Sequence, residues 1–334
     1  MFTKPIHTKL LYLVILAAAL LLPWYVPDAY IFQIVTMSVI FAISTSGMNL
    51  ILGYTGQVTL AHGAFFGIGA YGVAIMTKAG ISFWLALPAS ALISAFIGLL
   101  IGLPTLRTRG AYFAIVTLCF GVIVWIVSGN WIELTGGHNG IFGIPRPSAI
   151  PVPFFGEITF FTQTGMYYLS LAFLLIVLFA LHRLVYSVFG LTFMAVRNNE
   201  PLADSVGINT FTTKLVSFVA GNFIAGIAGG LYAAIIGAVS PTAAGYMMTF
   251  NFLIFVILGG MATLSGPVVG AFAIPIIMEF MQFLEDFRML IFGALLILVI
   301  IYFPMGLVGG LRRLNEKVVA WRQRKTTESG HASS

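Results

Sequence analysis

The sequence predicts an all-α polytopic membrane protein with about ten transmembrane helices and both termini in the cytoplasm. Of its 334 residues, 60% are hydrophobic and only 8% are charged, whereas soluble domains average about 45–50% and about 25%. The mean hydropathy of +1.04 requires spanning segments, because so few charges cannot cover a water-facing surface. The net charge of +6 does not indicate nucleic-acid binding, because the cations lie at the ends of apolar runs.

The first apolar run, near residues 10–24, follows Lys4 and Lys9 as a secretory signal would. It lacks a small-residue cleavage site, so we expect an uncleaved helix. Nine further runs approach the length of about 20 residues that a spanning helix needs. They lie near residues 31–52, 59–77, 83–103, 111–127, 166–185, 215–239, 247–262, 267–284 and 289–303. A turn-forming cluster at residues 263–267 divides two of these runs, and a re-entrant bend there is the alternative.

The distribution of Lys and Arg supports this arrangement. With both termini inside, only Lys78, Arg146 and Arg288 of the sixteen Lys and Arg residues fall on the external side. This asymmetry is the one that membrane insertion imposes, because cytoplasmic loops retain the cations. We therefore expect a transmembrane domain over residues 1–310, followed by a basic cytoplasmic tail over residues 311–334.

Two connections are longer than a turn. The external one, residues 128–165, is rich in Gly and Pro, and the cytoplasmic one covers residues 186–214. The cytoplasmic connection predicts a short amphipathic helix with Leu202, Val206 and Ala203 on one face. Pro201 suits its first turn and Gly207 suits its end.

Several kinds of chemistry are missing from the sequence. No Gly-Lys pair is present, so the chain has no phosphate-binding loop of its own. The single cysteine, Cys119, excludes an internal disulfide, and no cluster of Asp could hold Mg²⁺. Of the Asp and Glu residues only Glu279 falls within a predicted span, which argues against ion-coupled transport. We predict no catalytic, cofactor or metal site, and a conduit operated by partner proteins.

A polar patch marks the predicted cytoplasmic junction of the second and third spans. Its members are the candidates for a translocation path or gate: Asn49, Gln57, Thr59 and His62. For His62 three interpretations stay open. The ring is held by a neighbouring helix, it lines the path, or it titrates or binds a metal, although further ligands for a metal are lacking.

Four motifs stand out along the chain: Gly53–Tyr71, Arg107–Leu118, Leu134–Pro145 and Leu258–Pro267. Together they resemble the family of LivM-type permease subunits of branched-chain amino acid ABC importers. The resemblance covers roughly residues 45–310. It implies a ten-helix permease in the inner (plasma) membrane of a prokaryote, paired with a sister permease, two cytoplasmic ATP-binding subunits and an extracytoplasmic substrate-binding protein.

The resemblance also implies that the cytoplasmic loop docks on an ATP-binding subunit. The candidate coupling residues are Arg197, Glu200, Pro201, Ala203, Asp204 and Gly207. The chain departs here from the usual Glu-Ala-Ala pattern, because Pro201 and Leu202 follow Glu200. In the external loop the candidates for contact with the binding protein are Gly136, Gly137, His138 and Asn139.

The function predicted from these features is an ATP-driven importer permease for branched-chain amino acids. Importers of urea, amides or other amino acids share the scaffold and are the first alternative. A stand-alone ion-coupled carrier is the alternative of another class, and a membrane-embedded enzyme is a weaker third. We expect the permease pair to alternate between outward and inward openings as the ATP-binding subunits close.

Overall fold

The computed structural model describes residues 17–25, 28–108, 110–152 and 156–281, together with residues 306–310 and positions 291, 293, 297 and 301. The predicted last span near residues 289–303, the basic tail and the start of the first apolar run lie outside the well-described ranges. Residues 17–25 are helical, as the first run predicts.

The described part of the chain is dominated by helices. Their bounds agree with the predicted spans to within a few residues at each end. The helices are α1 Ala29–Asn49, α2 His62–Lys78, α3 Phe83–Thr105, α4 Ala111–Asn130, α5 Ile132–Thr135, α6 Gln163–Val185, α7 Val188–Asn198, α8 Glu200–Ser205, α9 Thr210–Ile236, α10 Tyr246–Gly259 and α11 Gly266–Phe280. A π-helical turn, Leu50–Tyr54, continues α1, and 3₁₀ turns cover Gly137–Asn139 and Pro241–Ala244.

Five of these segments are long and apolar enough to cross a membrane: Ala29–Tyr54, Phe83–Thr105, Ala111–Asn130, Gln163–Val185 and Thr210–Ile236. Three other predicted spans form shorter helices, since α2, α10 and α11 have 17, 14 and 15 residues. A full crossing needs about 20 residues. The chain is a polytopic, mostly helical membrane protein.

Local sequence signals explain where the long helices begin and end. The Asp28 carboxylate accepts a hydrogen bond from the Tyr30 amide at 2.9 Å and caps α1. The Asn209 side chain accepts from the Thr212 amide at 2.9 Å and caps α9. These side chains satisfy amides that have no partner within the first helical turn. Gly237 ends α9 in a left-handed conformation with φ 72°, which glycine adopts without a steric penalty.

Helix α9 lies at the centre of the fold and packs against α1, α2 and α3. Small residues let the backbones come close. A Cβ atom on Gly229 of α9 would lie 1.9 Å from the Phe66 carbonyl oxygen of α2, and one on Gly69 would lie 2.2 Å from the Gly226 carbonyl oxygen. In a membrane, where water does not drive helices together, such close approach supplies the packing energy.

The connection predicted to be external, residues 128–165, contains strands that the all-helical prediction did not include. Strand β1, Ile141–Phe142, pairs antiparallel with β4, Ala238–Val239, directly after α9. Strands β2, Ile150–Val152, and β3, Gly156–Ile158, form a second antiparallel pair. Strands of two or three residues leave no readable alternation of polar and apolar side chains, which is why the sequence does not show them.

Candidate functional site

The loop predicted to be cytoplasmic, residues 186–214, folds into two helices, α7 and α8, separated by Asn199. The Asn199 carboxamide oxygen accepts from the Leu202 amide at 3.1 Å and caps α8. Pro201 lies in the first turn of α8, and Gly207, just beyond its end, has a φ of 86°. The predicted short helix is therefore confirmed. Helix α7 is an addition to the prediction.

The predicted apolar face of α8 is wrong in one respect. Leu202 and Val206 are 61% and 69% exposed, but Ala203 is buried at 3%. Ala203 packs inward and fixes the helix against the protein, while Leu202 and Val206 point outward. Pro201, Asp204 and Gly207 are also exposed. Helix α8 and the residue after it thus expose two apolar side chains, Leu202 and Val206, and one acidic side chain, Asp204.

Two contacts anchor this loop to the membrane helices. The Lys214 Nζ atom, near the start of α9, lies 2.6 Å from Glu200 Oε1 at the start of α8. Lys214 is buried, so the ion pair is shielded from water more than a surface pair would be. At the end of α7, the Arg197 side chain packs over Gly56, where a Cβ would lie 3.1 Å from its Cγ. These contacts fix the end of α7 and the start of α8 to the segment after α1 and to the start of α9.

A cavity of about 610 Å³ lies beside these anchors. Its walls come from residues 55–58, from the α3–α4 junction and the start of α4, from the turn at residues 196–201, and from Lys214. The residues at the junction and the start of α4 are Leu106, Thr108, Gly110, Ala111, Phe113 and Ala114. The Gln57 amide nitrogen donates to the Thr55 hydroxyl at 3.1 Å, whereas its carbonyl oxygen is buried with no partner among the described residues. The structure therefore brings Gln57, a path candidate, next to the coupling residues Arg197, Glu200 and Pro201.

Asn49 holds together two segments that are distant in the sequence. Its amide nitrogen donates to the Thr263 carbonyl oxygen at 2.8 Å, and its carbonyl oxygen accepts from the Ala262 amide at 3.0 Å. Ala262 has a φ of 58°, a conformation that L-residues rarely adopt. Both ends of the Asn49 side chain are thus used to fix the turn between α10 and α11.

His62 and Thr59 are fully buried at the start of α2. The His62 Nε2 atom lies 2.9 Å from the Ser44 carbonyl oxygen of α1, and its ring meets the Phe252 ring edge-on. The Thr59 hydroxyl accepts from the Ala61 amide at 3.4 Å. Within the described residues, no three His, Cys, Asp or Glu side chains are grouped to hold a metal ion. The His62 ring joins α1 to α2.

The external candidates form one tight turn. Gly136 and Gly137 have φ values of 75° and 62°, and the 3₁₀ turn Gly137–Asn139 follows. His138 and Asn139 are exposed, and the His138 ring lies against Gly129 at the end of α4. The turn displays two polar side chains, His138 and Asn139.

Helix α4 has an unpartnered face that the sequence analysis did not single out. Of the five long apolar segments it is the least covered, with 22% of its most apolar stretch buried against 39–83% for the others. Phe113, Thr117 and Gly121 face inward. The opposite face is apolar and exposed: Tyr112, Ile115, Val116, Cys119, Ile123 and Ile126.

Sequence reasoning thus missed Lys214 and the α4 face. An apolar surface in a membrane helix has the same hydropathy whether it meets lipid or protein, so no sequence signal separates the two. For Lys214 a signal existed, because a lysine beside a predicted span, fourteen positions after Glu200, is a candidate partner for that carboxylate.

The matched family gives the class of protein to which this architecture belongs. Residues 30–300 match the family described as branched-chain amino acid transport system / permease component, and the chain belongs to that family. Among individual proteins, it is 34% identical over 321 residues to the high-affinity branched-chain amino acid transport system permease protein LivM of Salmonella typhimurium, covering 91% of this chain and 75% of the relative.

The LivM protein of Escherichia coli matches with the same identity and coverage. The probable branched-chain amino acid transport permease protein LivH of Methanocaldococcus jannaschii is 28% identical over 239 residues, which cover 69% of this chain and 73% of the relative. No solved structure matches the chain.

Proposed function

We propose that this chain is a permease subunit of an ATP-driven importer for branched-chain amino acids in the inner membrane of a prokaryote. The observation that carries the proposal is the family match over residues 30–300, with LivM relatives aligned over 91% of the chain. A sister permease completes the translocation path. Two cytoplasmic subunits hydrolyse ATP, and an extracytoplasmic binding protein delivers the amino acid. Ten transmembrane helices with both termini inside remain part of this proposal.

In this proposal α8 is the element that receives force from an ATP-binding subunit. Its exposed Leu202, Asp204 and Val206 provide the contact surface. The Glu200–Lys214 pair and the packing of Ala203 pass a displacement to the membrane helices. Because α9 packs against α1, α2 and α3, a tilt of α9 changes the arrangement of the whole bundle.

The path itself is proposed to run along the exposed face of α4, between this chain and the sister permease. The cavity lined by Ala111, Phe113 and Ala114 lies at the start of α4, beside that face, and Gln57 and the coupling loop form its other walls. Asn49, Thr59 and His62 then act behind the path, holding the segment before α2 and the turn after α10 in position. On the other side, the exposed His138 and Asn139 are the proposed contact for the binding protein.

The first test is uptake of radiolabelled leucine by cells with and without this gene, in a strain that lacks other leucine systems. We expect uptake to disappear with the gene, and unlabelled isoleucine and valine, but not urea, to compete in the gene-bearing cells. Competition by urea alone would assign the scaffold to urea or amides. The purified chain can also be tested in proteoliposomes without the ATP-binding subunits. Leucine uptake driven by an ion gradient there would show that the chain is a secondary carrier and not an importer subunit.

The α4 assignment has its own test. A photoreactive benzoylphenylalanine at position 123, on the exposed face of α4, is expected to cross-link to a second polypeptide of permease size when the complex is assembled. The same group at position 172, an exposed site on α6, is expected to give no such product. Equal cross-linking at both positions would remove the assignment of α4 to the subunit interface.

A further inference from the structure

An apolar groove runs between three membrane-spanning helices on a surface that the proposed path does not use. It has a volume of about 640 Å³. Among the residues that the structure describes, its lining comes from α3, α6 and α9, with no contribution from α4. These lining residues are all aliphatic apart from one phenylalanine, Phe223.

The groove exists because small residues face each other on the three helices. Ala95 of α3, Ala180 of α6 and Ala220 of α9 leave space where larger side chains would close the surface. Larger residues form its edges, and Leu92 and Ile176 are each 61% exposed there. The recess therefore opens sideways, toward the hydrocarbon of the bilayer.

The groove lies toward one end of the helix bundle. It uses the middle of α3, the second half of α6 and the first two thirds of α9, and is displaced toward the end of the bundle that carries the coupling loop. On α9 the lining runs from Leu215 to Ile227, which is ~18 Å along a helix axis. A single leaflet contributes ~15 Å of hydrocarbon. The length of the groove along α9 is therefore similar to the thickness of hydrocarbon in one leaflet.

A cation lies close to the coupling-loop end of the groove, although it is not part of the lining. Arg183 is exposed in the last turn of α6, two turns beyond Ile176 and on the same side of the helix. Its guanidinium lies 5.7 Å from the centre of the Phe179 ring. An arginine at this level can bind a phosphate with two parallel hydrogen bonds, as its planar group favours.

We propose that this groove binds an acyl chain of an anionic phospholipid from the leaflet on the coupling-loop side, with its phosphate at Arg183. The lipid fills the space between α6 and α9, and so stiffens the contact between α6 and the helix that holds Lys214. Lipid binding in the groove does not depend on the orientation of the chain in the membrane. The identification of this leaflet as the cytoplasmic one does depend on the proposed orientation. Lipid binding is measured without transport, so failure of this proposal and failure of the importer function give separate results.

The test counts phospholipid molecules that stay with the full chain after purification in mild detergent, by native mass spectrometry. Ala180→Phe fills the groove, and Ala172→Phe is the matched control, since Ala172 is an exposed alanine of the same helix outside the groove. We expect the wild type and Ala172→Phe to retain one phospholipid. In Ala180→Phe we expect the retained fraction to fall by about tenfold. Equal retention in the two variants overturns the proposal.

The headgroup is tested by adding vesicles of phosphatidylglycerol or phosphatidylcholine to the delipidated protein. We expect the wild type and Arg183→Lys to prefer phosphatidylglycerol, and Arg183→Gln to lose that preference. Equal preference in Arg183→Gln and wild type overturns the role of Arg183.

A photoreactive benzoylphenylalanine at position 176, on the edge of the groove, identifies the occupant in the assembled complex and leaves the space beside Ala180 open. A cross-link to phospholipid supports the proposal. A cross-link to a polypeptide, from this chain or a partner, overturns it.

Discussion

Replacing Leu202 and Val206 together by aspartate is expected to abolish ATP-driven uptake, with a decrease of more than about tenfold. Both side chains project from α8 and make the apolar part of its exposed surface. In an interface with an ATP-binding subunit they would be buried, and a carboxylate buried without a partner costs several kcal/mol. Uptake of radiolabelled leucine and recovery of the ATP-binding subunits with the purified permease are the two measurements.

The control for this experiment is Leu202→Met, which keeps an apolar side chain of similar volume and is expected to retain uptake. Membrane insertion of the double variant is expected to be normal, because neither side chain packs within the chain itself. If the double variant transports leucine at the wild-type rate and keeps its ATP-binding subunits, α8 is not the docking element.

The second large effect is expected in the packing of α9 on α2. Gly229→Ala would place a Cβ atom 1.9 Å from the Phe66 carbonyl oxygen, which is backbone and cannot move aside as a side chain can. The helices would have to separate. We expect a loss of about 3 kcal/mol in the free energy of unfolding, at the upper end of ordinary overpacking, and a lower thermal unfolding temperature in detergent.

Gly121→Ala in α4 is the matched control. There the nearest atom to the new Cβ would be the Leu60 carbonyl oxygen at 3.3 Å, a distance that requires only a small adjustment. Alanine is also the better helix former of the two residues. The control is expected to unfold at or near the wild-type temperature. Equal unfolding temperatures in Gly229→Ala and Gly121→Ala would show that the contact between α2 and α9 is not a tight one.

Hydropathy predicted the membrane helices well, because each residue of a span contributes directly to the mean hydropathy of that segment. The bounds of α3 and α4 agree with the predicted runs to within three residues. The sequence also located the break between α10 and α11, since Gly, Ser and Pro lie together there. The coupling helix α8 followed from Pro201 and Gly207, which have local conformational preferences of their own.

The contacts within the candidate site could not be predicted in the same way. Asn49 binds a turn more than 200 positions away, and only the folded chain brings the two together. Ala203 turned out to face inward because α8 is a single short helix whose orientation is set by the Glu200–Lys214 pair and the end of α7. Helical periodicity shows which residues share a face, but it does not show which side that face points to.

Helix α9 connects two distant parts of the molecule. Its first turns hold Lys214, the partner of the coupling helix, and immediately after its last residue strand β4 pairs with β1, next to the external turn at Gly137–Asn139. The helix is continuous over 27 residues, which is ~40 Å. A single continuous helix therefore links the coupling loop to the region of the turn at Gly137–Asn139. In the proposed importer, docking of the binding protein at the external turn could change the affinity of the ATP-binding subunits for nucleotide through this helix. Thermodynamic reciprocity then requires that nucleotide binding change the affinity of the external turn for the binding protein by the same factor.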